Sequence, residues 1–95
     1  MIEIMTFRLA PGADEAGFKS ADRRVQTHFA YHQAGLLRRT TARRDDGVWI
    51  VIALWRSGQD ADASGEDWNR DDLAAEFMSF IDASSVRTER YATLD

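Results

Sequence analysis

The sequence has no cysteine among its 95 residues, which excludes disulfides and thiol chemistry. Small secreted domains often depend on disulfides, so their absence favours a reducing cytoplasm as the location. The longest apolar run, Val48 to Trp55, is too short to cross a membrane. The stretch MIEIMTFRLA lacks the basic and long apolar segments of a signal peptide. We therefore expect a cytoplasmic protein with no membrane partner.

An excess of positive charge is also missing, because the net charge is −4. This argues against nucleic acid as a partner. The sequence contains no glycine-rich phosphate loop, no GxSxG motif and no paired-carboxylate motif. A content of 44% hydrophobic and 29% charged residues fits one globular domain over residues 1–95. We expect no bound cofactor and no metal.

What is present is a regular alternation of strand and helix patterns. The predicted elements are a strand over residues 2–9, a helix over 13–34, strands over 36–44 and 48–55, a short helix over 59–66, a helix over 71–82 and a strand over 85–93. Trp68 does not fit the frame of the last helix, which predicts a break near Asn69. The order β-α-β-β-α-β predicts an α+β, ferredoxin-like fold with a four-stranded antiparallel sheet. In that arrangement strands one and three are central.

Strand three is apolar on both faces. Its alternating sets are Val48, Ile50, Ile52 and Leu54 on one side, and Trp49, Val51, Ala53 and Trp55 on the other. Helices are available for only one face of the sheet, so the other face needs a partner. A second copy of the chain is the simplest partner, which predicts a homodimer. We expect the bulky tryptophans to face the helices of their own chain.

The chain resembles the dimeric α/β-barrel proteins of the antibiotic-biosynthesis-monooxygenase-like superfamily. The stretches that carry the resemblance are AGFKSADRRVQ, HQAGLLRRTT, DDGVWIVIALW and RSGQDADA. The resemblance implies that two sheets pack face to face across a dimer as a barrel. It also implies a cavity in each subunit, between its own sheet and helices.

The resemblance implies oxygenase chemistry more readily than haem degradation. Haem-degrading members use an asparagine on the first strand and a histidine on the second long helix, and this chain has neither. Oxygenases of quinol type place asparagine, tryptophan, tyrosine and arginine around a phenolic substrate. Those residue types occur here, but no position-by-position role is carried over.

His28 and His32 stand four residues apart on the predicted first helix, and His32 falls in its apolar stripe. Three interpretations stay open for them: a buried histidine with a hydrogen-bond partner, a pocket base, or a pair of metal ligands without an evident third. The pocket-base interpretation makes His32 the first catalytic candidate and His28 the second. A reference pKa near 6.5 suits proton abstraction at neutral pH.

Aromatic and arginine side chains are the candidate ligand-binding residues. The set is Trp49, Trp55, Arg38, Phe29 and Phe77. For the tryptophans the alternative is core packing. If Asp46-Gly47 forms a two-residue turn, Arg44 lies opposite Trp49 and Arg38 opposite Trp55. Arg38 then serves either a cation–π contact or an anionic ligand.

Three functions are compatible with these features of the sequence. The first is a small-molecule enzyme of the cofactor-independent monooxygenase kind, acting on phenolic or polyketide-like aromatic compounds. The second is a dimer that binds a small hydrophobic ligand without catalysis. The third is a structural dimer whose tryptophans fill its own pocket.

Overall fold

The chain forms four strands and three helices in a computed structural model, which describes residues 1–94. The strands are β1 (Ile2–Phe7), β2 (Leu36–Arg43), β3 (Trp49–Trp55) and β4 (Arg87–Tyr91). The helices are α1 (Glu15–His28), α2 (Gly58–Trp68) and α3 (Asp72–Ser79). Two short 3-10 turns, Ala30–His32 and Ala83–Ser85, precede β2 and β4 respectively.

The strands pair in the order β2-β3-β1-β4, and every pairing is antiparallel. Strands β1 and β3 are therefore central, and the predicted ferredoxin-like α+β fold is confirmed. Ile4 lies opposite Ile52 at the middle of the β1–β3 pair. The joining of two such sheets into a dimeric barrel stays a prediction, since the structure contains one chain.

Helix α1 is shorter than the sequence pattern predicts. Asp14 caps its start by accepting a hydrogen bond from the Ala16 amide, and the helix ends at His28 instead of continuing to residue 34. The chain then tightens into a 3-10 turn, from which the Tyr31 hydroxyl bonds both the amide and the carbonyl of Arg39 on β2. This cross-link to β2 requires a change of direction that a continuous helix would not make.

Helices α2 and α3 each begin at a side-chain cap. Ser57 accepts from the Asp60 amide, and Asp71 accepts from the amides of Leu73 and Ala74. The predicted break near Asn69 is confirmed. Within residues 1–94, no helix is both long enough and apolar enough to cross a bilayer.

The β2–β3 hairpin turns through three residues instead of the predicted two. The Arg44 amide bonds the Val48 carbonyl at 2.8 Å, and Gly47 between them has φ +89°. Three-residue hairpin loops of this kind place glycine in the left-handed region. The extra residue shifts the register by one, so Arg39 and Arg43 face the helices in place of Arg38 and Arg44.

The two faces of the sheet are unequal. The helix-facing side holds the main core, where the Trp49 and Phe18 ring centroids lie 4.9 Å apart. Trp55 packs against Ala61 of α2, so the expectation that both tryptophans face their own helices is confirmed. The opposite face is without a cover in the single chain, and its large aliphatic residues on the two central strands are Ile2, Ile4, Ile50, Ile52 and Leu54.

Candidate binding cavity

A cavity of about 230 Å³ lies between the helix-facing side of the sheet and the helices. Most of its wall is apolar. The apolar and small lining residues are Met5, Val25, Phe29, Ala30, Leu36, Val51, Ala53, Trp55, Ala61, Gly65, Trp68 and Phe77; the polar ones are Glu3, Arg39, Ser64, Thr88 and Arg90. An apolar cavity with a few convergent polar groups is typical of a small-molecule site.

Arg39 is the buried cation in this wall, with 7% of its side chain exposed. Its Nη2 donates to Asp22 Oδ1 at 2.8 Å, and its Nη1 donates to Gln26 Oε1 at 3.1 Å. Its Cζ lies 5.8 Å from the centroid of the Phe77 ring. A guanidinium has five N–H donors. Among residues 1–94 only these two bonds engage them, so Arg39 keeps donors for a ligand.

Asp22 balances the charge of Arg39 and is itself held in place. Its Oδ1 also accepts from the Thr41 hydroxyl at 2.8 Å, and its side chain is 17% exposed. The Tyr31 hydroxyl fixes the backbone of Arg39, with 3.0 Å to the amide nitrogen. The guanidinium is therefore anchored from α1, from β2 and from the 3-10 turn. Such support restricts the positions that it can adopt.

Trp55 contributes a buried donor that has no partner. The residue is 6% exposed, and its indole Nε1 is out of reach of solvent with no hydrogen-bond acceptor within residues 1–94. Leaving a buried donor unpaired costs about 1–3 kcal/mol. Because the same side chain lines the cavity, an acceptor on a ligand is one way to offset that cost.

The aromatic part of the wall is built around Trp68. Its ring meets those of Phe29 and Phe77 edge to face, at centroid distances of 5.4 and 5.6 Å. Ser64 lies one turn earlier on α2 and also lines the cavity. Helix α2 thus supplies a hydroxyl and an indole to the same space, at the i, i+4 spacing of one helix face.

Charged side chains form the rim. Arg90 on β4 donates to Glu3 Oε2 at 2.8 Å and to Asp62 Oδ1 at 2.6 Å, which links the sheet edge to α2. The hydrogen bond that Arg90 donates to Asp62, and then the one to Glu3, raises the pKa of Arg90 above its ordinary value. Glu3 is the carboxylate that lines the cavity.

The structure brings three of the predicted ligand-binding residues into the cavity: Trp55, Phe29 and Phe77. Trp49 instead belongs to the core, where the Arg43 guanidinium lies 6.0 Å from its ring centroid. Arg38 is exposed and pairs with Leu54, so it lies on the other face of the sheet. The prediction that Arg38 lies opposite Trp55 is wrong, because the hairpin loop is one residue longer than assumed.

The two candidate catalytic histidines lie outside the cavity. His28 ends α1 and His32 ends the 3-10 turn, and both are exposed. The expectation that His32 is buried is wrong, because the helix stops before it and its position no longer follows the apolar stripe. Within the described residues, no three His, Cys, Asp or Glu side chains form a group that could hold a metal.

The sequence reasoning missed Arg39, Glu3 and Arg90. The run Asp45-Asp46-Gly47 could have indicated Arg39. Glycine as the third residue is typical of a three-residue hairpin loop, and a loop of that length places Arg39 on the helix-facing side of the sheet. Glu3 and Arg90 are far apart in the chain and become neighbours through the β1–β4 pairing. No local pattern indicates that contact.

No protein-family model matches the sequence, and no curated protein matches it. Solved structures do match. A variant of SnoaB, a cofactor-independent oxygenase from Streptomyces nogalater, superposes with a TM-score of 0.80 at 17% identity, over 99% of this chain and 92% of SnoaB. A presumed antibiotic biosynthesis monooxygenase from Caulobacter crescentus gives 0.80 at 16%, over 99% and 89%. Rv0793 from Mycobacterium tuberculosis gives 0.70 at 16%, over 99% and 94%. The chain therefore shares the fold of antibiotic-biosynthesis-monooxygenase-like proteins.

Proposed function

We propose that this protein is a homodimeric oxygenase that oxidises a small, electron-rich phenolic molecule without a bound cofactor. The observation that carries the proposal is Arg39, a buried cation with unused N–H donors in an apolar, aromatic-walled cavity. The shared fold with a cofactor-independent oxygenase supports the same reading. The cavity has few polar groups, and two of them, Arg39 and Glu3, have a role in this chemistry.

The proposed reaction begins with loss of the phenolic proton. The phenolate gives one electron to O₂, and the two resulting radicals combine at the ring carbon para to the oxygen. The hydroperoxide that forms loses water and leaves a quinone. With 1-naphthol, one oxygen atom of O₂ becomes the new carbonyl, the other leaves as water with the phenolic and ring hydrogens, and O₂ accepts four electrons in total.

Arg39 would stabilise the phenolate, because a fixed cation in a water-poor site favours the charged form of a bound acid. Glu3 would take the proton, being the carboxylate in the wall. The aromatic rings of Trp55 and Trp68 would keep bulk water from the radical pair. In this proposal Glu3 acts as the base in place of His32, which the sequence predicted.

The dimer would form through the uncovered face of the sheet. That face carries Ile4 and Ile52 at its centre, directly opposite each other on the two central strands. Apolar burial contributes about 25 cal/mol per Å², so covering such a face is strongly favourable. The proposed location is the cytoplasm, in keeping with the lack of cysteine.

Oxygen uptake with 1-naphthol tests the activity. We expect consumption of one O₂ per quinone formed, and a loss of about a hundredfold or more in Arg39→Met. Arg23→Met, an exposed arginine of α1, is the matched control and should retain the wild-type rate. Equal oxygen uptake by wild type and Arg39→Met would contradict the proposal.

Non-catalytic binding of a small hydrophobic molecule is the second candidate function. It is favoured by the exposed positions of both histidines, which leave the cavity without an imidazole base. Saturable binding of 1-naphthol with no oxygen uptake at any pH would support this function over the first.

A further inference from the structure

The volume of the cavity limits the size of its ligand. An apolar protein cavity of about 150 Å³ holds one benzene molecule, while sites for drug-sized ligands usually enclose about 300–1,000 Å³. At about 230 Å³, this cavity lies between the two. It therefore has space for one substituted ring or two small fused rings, and too little for three.

The buried polar groups limit the chemistry of the ligand. Arg39 has N–H donors without partners, and the Trp55 indole N–H has no acceptor. The acceptors nearby are already engaged, since Asp22 Oδ1 takes two hydrogen bonds, Gln26 Oε1 takes one, and the Glu3 carboxylate at the rim takes one from Arg90. A ligand that presents acceptors satisfies these donors, whereas one that presents only donors leaves them unpaired.

The donors also lie on the same side of the cavity. Arg39 pairs with Ala53, and Trp55 is the next residue of β3 on that face. Such diagonal neighbours on a sheet are about 7–8 Å apart. Ser64, which is buried on α2 and lines the same space, adds a hydroxyl. An oxygen-bearing edge of the ligand would meet these groups while its ring meets Phe29, Trp68 and Phe77.

We infer that the natural ligand is an aromatic molecule of one ring, or of two fused rings at most, with acceptor oxygens along one edge. The inference shares one assumption with the proposed function, namely that this cavity is the binding site, and it does not require oxygenase activity. Three-ring and four-ring aromatic compounds are excluded by volume. Aromatic amines that offer only donors are excluded by the unpaired N–H groups of Arg39 and Trp55.

The test is a binding series that varies the number of rings and the polar group separately. Benzoate, 1-naphthoate and 9-anthracenecarboxylate carry the same acceptor on one, two and three rings. Benzylammonium offers donors on a single ring. The readout is the indole N–H signal of Trp55 in ¹H–¹⁵N NMR spectra, identified among the three tryptophans by its loss in Trp55→Phe.

Benzoate and 1-naphthoate should shift the Trp55 signal to saturation, and 9-anthracenecarboxylate and benzylammonium should leave it unchanged. Arg39→Met should weaken benzoate binding by about tenfold or more, since bonds to charged groups are the stronger ones. If Arg39→Met unfolds, Ser64→Ala replaces it, with a smaller loss expected. Saturable binding of the three-ring compound or of benzylammonium at this signal would overturn the inference, as would no binding of either carboxylate.

Failure of this inference is distinguishable from failure of the proposed function, because the binding series needs no oxygen. Binding of the two smaller carboxylates with no oxygen uptake from 1-naphthol refutes the oxygenase and leaves the ligand class standing. Oxygen uptake confined to three-ring phenols refutes the ligand class and leaves the oxygenase standing.

Discussion

Arg39 and Asp22 form a buried ion pair between β2 and α1, with Nη2 of the arginine 2.8 Å from Oδ1 of the aspartate. The two side chains are 7% and 17% exposed. Because the pair joins a strand to a helix and lines the cavity through Arg39, it connects the stability of the fold to the chemistry of the site.

Asp22→Ala should lower the free energy of unfolding by about 3–5 kcal/mol, because it leaves the buried Arg39 charge without its counter-ion. Urea denaturation followed by tryptophan fluorescence measures the loss. Asp67→Asn removes the exposed pair with Arg70 and should cost under about 1 kcal/mol. A similar small cost for both variants would show that the Arg39–Asp22 pair is solvated.

Ile52→Asp should convert the proposed dimer into a monomer, since it places a charge at the centre of the uncovered sheet face. Sedimentation at micromolar concentration should give two chains for wild type and one for the variant. Gln59→Asp introduces the same charge at an exposed position of α2 and should stay dimeric. A wild-type monomer would contradict the prediction at once.

Arg90→Gln should slow the entry of benzoate into the cavity, because it removes the cation that joins Glu3 to Asp62 and leaves their two negative charges at the rim against an anionic ligand. Exposed charge pairs are worth about 0.2–1 kcal/mol, so the association rate should fall about two- to fivefold. Stopped-flow tryptophan fluorescence measures it. Arg87→Gln, on the same strand but the other face, is the control. An unchanged rate in Arg90→Gln would mean that ligands enter elsewhere.

Gly35→Ala should destabilise the fold by more than about 1 kcal/mol. Gly35 has φ +82°, and an added Cβ would collide with the carboxylate group of Asp60. Gly58→Ala is the matched control, since a Cβ there meets nothing within 4 Å and φ is not positive. Thermal unfolding compares the two, and equal melting temperatures would contradict the close approach to Asp60.

The hairpin loop should respond to acid through Asp46. The hydrogen bond from the Arg44 side chain holds the pKa of Asp46 at about 2, below its usual 3.8. A carboxylate with a lowered pKa stabilises the folded state above its unfolded pKa, and that contribution is lost as the pH falls through about 2. An NMR titration should therefore give a midpoint near 2, which moves upward in Arg44→Gln. A midpoint unaffected by Arg44→Gln would rule out this cause.

Much of the fold is determined by the sequence. The alternation in strand three separates Trp49 and Trp55 from Ile50 and Ile52, because side chains along a strand point to opposite faces in turn. The β-α-β-β-α-β order then leads to the observed sheet. Trp55, Phe29 and Phe77 could be assigned to the space between sheet and helices on this local evidence.

The tertiary structure decided which polar groups enter that space. One extra loop residue exchanges Arg38 for Arg39, because a shift of one residue in register moves every side chain to the other face. The turn after His28 removes His32 from the apolar stripe, since the Tyr31 hydroxyl bonds to β2. Glu3 and Arg90 meet only through pairing across nearly the whole chain. The periodicity of apolar residues in the sequence indicates helices and strands. The site depends on strand register and on contacts between distant residues, which form only when the strands pair.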